Sequence, residues 1–247
     1  MLFSLNHPLQ FLVRTLFMLP IILISLTVHE IAHGFISYKL GDSSAKYMGR
    51  LSINPLRHVD PFGLISLILF GFGWAKPVMI NPQNYKNPKA GTALTALAGP
   101  VSNFLMALIG VFGFEAMFQF CSWENRMGFL SLVYFFSSGD RSITVTVPGI
   151  LMMFLYLFTL VNIGLGIFNL IPIPPLDGSK ILYAFLPNRI LYRILPYERY
   201  FGLILIVLLF IPSTSPFGFL SRFLSFLESG VFDAFDSLAL LVFGGGA

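Results

Sequence analysis

Three apolar runs, Leu9–Leu40, Ala90–Phe120 and Pro148–Asn169, are each long enough to make a helix that crosses a hydrocarbon layer, which takes about 20 residues. Such runs leave a chain few choices. Backbone groups placed in lipid must be satisfied within their own segment, so helices are the expected elements. The composition agrees. Of 247 residues, 56% are hydrophobic and 11% charged, and the mean hydropathy is +0.81. A soluble domain carries about a quarter charged residues, so this surface is too apolar to face water all round. The 28 Phe suit lipid-facing positions. The expected architecture is an all-α polytopic membrane protein forming a single membrane-embedded domain over 1–247, with its core at about 9–200. A single Cys, Cys121, excludes an intrachain disulfide and a multi-cysteine zinc site. Arg14 lies inside the first apolar run and no small-x-small cleavage pattern follows, so that run is read as a mature helix.

Between the long runs the chain is punctuated by polar, turn-rich segments. Gly49–Asn54 has the alternation of a short strand, and Pro61–Phe72 is apolar but too short to span, which suggests a re-entrant or interfacial hairpin. Residues 121–147 read as a loop with a strand-like Ser142–Val147. The third run is broken by Pro172-Ile173-Pro174-Pro175, and a short helix is expected after Gly178. Extra C-terminal helices follow. Tyr200–Ile211 is one short crossing long, and 213–247 holds an amphipathic helix, interfacial or packed on the bundle.

Charge sets the expected topology. Lys39, Lys46, Arg50, Arg57, Lys76, Lys86 and Lys89 crowd one loop region, and Lys180, Arg189, Arg193 and Arg199 another; residues 121–147 hold only Arg126 and Arg141. Cytoplasmic loops collect Lys and Arg, so both rich regions are expected there. The net charge of +4 is accounted for by these loops and calls for no nucleic acid.

His29-Glu30-Ile31-Ala32-His33 lies in the last third of the first helix. Residues four apart differ by about 40° around a helix, so both imidazoles reach one ion, while Glu30 stands about 100° from His29, beside the ion as a general base would. Burying a carboxylate and two imidazoles in lipid costs several kcal/mol, so such groups are functional candidates by default. A third ligand is needed. His7 lies at the far end of the same helix and His58 in a loop. Asp177 follows an apolar helix and arrives on the same predicted side as His29; read alone, Asp177-Gly178 is also an ordinary turn. The alternatives are a metal transporter and a non-catalytic zinc-binding homologue. A transporter needs ligands along a path, whereas the intramembrane polar groups gather at one depth. A homologue that only binds metal has no need of Glu30.

These residues resemble the site-2 protease family of intramembrane metalloproteases over about 20–200. The resemblance rests on His29-Glu30-x-x-His33, on Asn169 with the run ending Pro-Pro-Leu-Asp177-Gly178, on Gly49 to Gly63, and on Gly73 to Val78 followed by Ala98-Gly-Pro-Val-Ser-Asn103. It implies one Zn2+ per chain held by His29, His33 and Asp177, with Glu30 as catalytic base and proton shuttle. It gives Asn169 a part in holding the oxyanion or substrate backbone. It further implies a three-helix catalytic core, transmembrane protein substrates, and a multi-pass place in the cell membrane with the site toward the cytoplasm. No PDZ-like insertion or C-terminal nucleotide-sensing domain is expected. The 49–80 region is expected to offer a strand edge to an unwound substrate, and His58 and Asp60 to order the loop.

Overall fold

A computed structural model describes residues 8–70, 73–138, 144–211, 214–215 and 218–244. Within these residues the chain forms α1 (Pro8–Lys39), α2 (Ser44–Tyr47), α3 (Pro61–Phe70), α4 (Pro88–Phe120), α5 (Trp123–Ser138), α6 (Val147–Leu170), α7 (Asp177–Phe185), α8 (Asn188–Ile194), α9 (Glu198–Phe210) and α10 (Phe219–Phe243). Helices α1, α4 and α6 are long and apolar enough to cross a membrane. The chain is a multi-pass, all-α membrane protein.

The two inner spans start where local chemistry directs. The Asn87 side chain accepts from the Ala90 N–H at 3.2 Å, with Pro88 in the first turn of α4. Thr146 accepts from the Gly149 N–H at 3.1 Å, with Pro148 in the first turn of α6. Each cap satisfies a backbone donor that the helix cannot, and proline there sacrifices no helical hydrogen bond.

Helix α4 packs against both α1 and α6. The interior of this bundle mixes polar with apolar residues, and large apolar side chains stand on its outside. Ser25, Asn103, Thr159 and Asn162 are fully buried at 0% exposure, while Leu16 and Ile109 are 64% and 70% exposed. These four polar residues find hydrogen-bond partners inside the bundle, and apolar groups outside meet lipid. Helix α10 packs along α4 and α6, where Ala107, Ile163 and Ile167 meet Leu224, Leu227 and Val231.

Two sequence expectations are corrected. Residues 121–147 are not simply a loop, because α5 occupies most of them. Its Phe129 and Leu132 pack with Phe114 of α4 and Met152 and Met153 of α6. Its apolar residues recur at helical spacing. No strand forms at Gly49–Asn54. Gly49 takes a left-handed φ of +65°, Asn54 caps a 3-10 turn at Pro55–Arg57, and the Arg50 guanidinium donates to the Arg57 carbonyl, so the segment curls on itself. Among the described residues the β contribution is a single antiparallel bridge between Val59 and Ala75. Of the strand-like 142–147, Ser142 and Ile143 lie outside the described residues, and Val147 belongs to α6.

Candidate metal centre

His29 and His33 lie one turn apart on the buried face of α1, 5% and 9% exposed. Asp177, 6% exposed, is the first residue of α7 and reaches the same point from behind the proline run. Its neighbour makes that approach possible. A Cβ on Gly178 would fall 2.3 Å from the carbonyl oxygen of Leu170, so only glycine lets α7 begin against the end of α6.

The three side chains converge closely. His33 Nε2 is 2.9 Å from His29 Nε2, and Asp177 Oδ2 is 3.2 Å from His29 Nε2 and 3.0 Å from His33 Nε2. The other carboxylate oxygen of Asp177 accepts from Lys180 Nζ at 3.1 Å. Each ring spends its second nitrogen on an acceptor: His33 Nδ1 donates to the Thr95 carbonyl at 2.7 Å, and His29 Nδ1 to Asn103 Oδ1 at 2.6 Å. With Nδ1 protonated, the Nε2 lone pairs face one another and a carboxylate oxygen. Three electron-rich atoms so close repel unless a cation lies between them.

The residues fit zinc. Two imidazole nitrogens and one carboxylate oxygen form a hydrolytic donor set that leaves a coordination position open. Tetrahedral zinc with bonds of about 2.0–2.2 Å separates its ligands by roughly 3.3–3.6 Å, so opening by a few tenths of an ångström admits the ion. The necessary space exists because α4 carries Gly99 opposite the two rings.

Glu30 sits next to the rings, half-buried, with Oε2 accepting from the Val78 backbone N–H at 2.8 Å. Asn169 lines the same pocket of about 230 Å³, and its Nδ2 donates to the Leu165 carbonyl at 3.0 Å. His58 stays in the loop, with Nε2 on the Ser52 carbonyl at 2.8 Å, and Asp60 caps α3 through the Gly63 N–H at 2.9 Å. His7 lies outside the described residues.

The structure adds Thr95 to the site and gives Gly99 and Asn103, which the sequence marked only within a family motif, a place beside the histidines. Thr95, Gly99 and Asn103 recur at intervals of four on α4, matching the spacing of His33 and His29. A polar network continues from Thr95. Its hydroxyl meets Tyr85 Oη at 3.2 Å, Tyr85 meets Ser37 Oγ at 2.8 Å, and Ser37 donates to Asp42 Oδ2 at 3.0 Å. Asp42 also accepts from the Ser44 hydroxyl and the Asn81 N–H, at 2.6 and 2.7 Å. Burial alone would raise its pKa, but the hydrogen bonds from Ser44, Asn81 and Asn84 outweigh burial and hold the carboxyl well below its ordinary 3.8.

A second, apolar cavity of about 620 Å³ lies among α1, α3, α6 and α10, lined by Leu26, Thr27, Trp74, Val161, Gly164 and Phe168 among others. Thr27 Oγ1 and His58 Nδ1, on residues of its wall, are buried without a hydrogen-bond partner.

A bundle of lipid-spanning helices that gathers two histidines, an aspartate and a neighbouring glutamate belongs to the class of intramembrane metal hydrolases. The profile of Peptidase family M50, the site-2 protease family, matches residues 17–211, and the chain belongs to that family. It is similar to a Bacillus subtilis (strain 168) protein named as a zinc metalloprotease, YwhC, at 35% identity over 82% of this chain and 85% of that one. It is also similar to a Mycolicibacterium smegmatis protein named as a zinc metalloprotease, Rip2, at 28% identity over 85% of this chain and 72% of the relative. No solved structure matches the chain. The protein is an intramembrane zinc metalloprotease, and neither the transporter nor the non-catalytic alternative is favoured.

Proposed function

We propose that His29, His33 and Asp177 hold the zinc ion and that Glu30 is the base and proton carrier of peptide hydrolysis. The observation that carries this reading is the convergence of three ligand atoms, from residues up to 148 positions apart, within 2.9–3.2 Å of one another beside Glu30. Bound zinc supplies a Lewis acid that makes water a nucleophile near neutral pH and polarises the scissile carbonyl.

The remaining work falls to the chain. The Val78 N–H holds Glu30 at the pocket edge, where the carboxylate accepts a proton from the attacking water and returns it to the leaving amine. Asn169 turns its amide from Leu165 toward the developing oxyanion. A substrate helix unwinds before its carbonyl can react, because its backbone is paired with itself. The apolar cavity supports entry of such a segment: Trp74 and Phe168 line the cavity, and Val78 and Asn169, just beyond them in sequence, line the metal pocket.

The substrates of this reading are transmembrane segments of other proteins. The basic loops 39–90 and 178–199 face the cytoplasm of the cell membrane, which sets the site toward that side.

The test is Glu30→Gln in purified protein with a single-span substrate. Zinc content stays unchanged while turnover falls about 10²–10⁴-fold. Loss of zinc with retained cleavage would overturn the assignment.

A further inference from the structure

The orientation of the His29 ring rests on a hydrogen-bond chain that crosses all three spans. Ser25 on α1 donates its hydroxyl proton to the Ile21 carbonyl at 2.8 Å, so its oxygen is left to accept. Asn162 on α6 donates one Nδ2 proton to Ser25 Oγ at 2.9 Å and the other to the Phe158 carbonyl at 2.9 Å. Its oxygen therefore faces α4, where Asn103 Nδ2 donates to it at 2.8 Å. Asn103 is left with its oxygen toward His29, 2.6 Å from Nδ1.

Each direction in this chain follows from the one before. The Ile21 and Phe158 carbonyls only accept. Turning over the Asn162 amide would set oxygen against oxygen at Phe158 and NH2 against NH2 at Asn103. Ser25, Asn103 and Asn162 are each 0% exposed, so water cannot take over a lost bond. Two backbone carbonyls thus decide which His29 nitrogen carries the proton.

We propose that Asn103 and Asn162 are positioning residues that lock His29 as the Nδ1–H tautomer and so present its Nε2 lone pair to zinc. Outer partners of metal-bound histidines commonly fix tautomer and ring angle in this way. The proposal rests on the reading of His29 as a ligand.

The test measures the zinc dissociation constant of the purified full chain by competition with a chelator. Asn103→Leu has nearly the same size but no acceptor, and zinc binding weakens about 10–100-fold. Asn103→Asp keeps an acceptor on the Nδ1 proton and, with its second oxygen protonated, still donates to Asn162, so it stays close to the unaltered chain. A packing role predicts the opposite order, since a carboxyl group among three spans is costlier than a leucine. The pair Asn162→Asp, whose protonated carboxyl donates to the Phe158 carbonyl and still accepts from Asn103, and Asn162→Leu repeats the comparison one bond further away, and decides the matter where Asn103→Leu does not fold. Histidine nitrogen NMR of the zinc-loaded chain shows His29 bound through Nε2 with a proton on Nδ1. Ligation through Nδ1, unaltered affinity in both leucine variants, or equal loss in both members of each pair would overturn the proposal. If the unaltered chain takes up no zinc, the ligand reading fails instead.

Discussion

A Cβ placed on Gly99 would stand 2.5 Å from Nε2 of His33, on the point where the two imidazoles converge. Helix α4 contributes to the metal centre by lacking an atom there. Gly99→Ala is compatible with the helix, since alanine is its best former, but the methyl group and an ion claim the same volume. The expected result is zinc affinity lowered about 10–100-fold, in line with overpacking a tight site, with helical content unchanged. Metal analysis after gel filtration, alongside circular dichroism, measures both.

Removing the metal should destabilise the whole bundle. His29, His33 and Asp177 belong to α1 and α7 and hold lone pairs against one another at 2.9–3.2 Å. A cation that binds the folded chain alone stabilises it by mass action. Stripping with a chelator lowers the unfolding midpoint by several degrees, and added zinc restores it. An unchanged midpoint would argue against a structural share for the ion.

Asp42 makes stability depend on acid. Its carboxyl lies below the ordinary value of 3.8 in the folded chain, so protons bind the unfolded chain more readily. Its contribution is complete above about pH 4 and drains away as the pH falls further. Asp42→Asn should cost roughly 2 kcal/mol at pH 7, because several donors lose a charged acceptor. The gap between the two proteins narrows below pH 4. Thermal unfolding of both across pH 3 to 7 tests the sign.

The apolar cavity can be filled from one position. A Cβ on Gly164 meets Glu228 Oε1 at 3.4 Å and nothing closer, so a side chain there extends without displacing backbone. Gly164→Leu should leave zinc content intact and weaken cleavage of a single-span substrate several-fold, chiefly through KM. Unchanged kinetics would remove the cavity from the substrate's path.

The spans were legible because apolar runs of that length admit one secondary structure in lipid. Pro8–Lys39, Pro88–Phe120 and Val147–Leu170 begin and end within two residues of the stretches read from sequence. That His29 and His33 could reach one point was legible from helical periodicity, whereas Asp177, read alone an ordinary turn, was singled out by the predicted side on which it emerges and by the family resemblance. Asn162 was not, and Asn103 stood out only as the last residue of a family motif, with no partner attached. A lone amide in an apolar helix gives no hint of its partner, and here the partners come from spans 59 and 74 residues away. Helix α5 was hidden because Glu124, Asn125 and Arg126 give its first turn the look of a loop, while its apolar face emerges only from Phe129 onward.

The proposed ligand set spans the chain from His29 to Asp177, and that separation bears on how the protein is born. On that reading, a nascent chain that has delivered α1 and α4 to the translocation machinery carries two of the three proposed ligands and would have no working scissors. Chemistry would switch on only once α6 has been threaded and α7 has brought Asp177 to the two histidines. A half-synthesised copy would then pass among its neighbours in the membrane without cutting them.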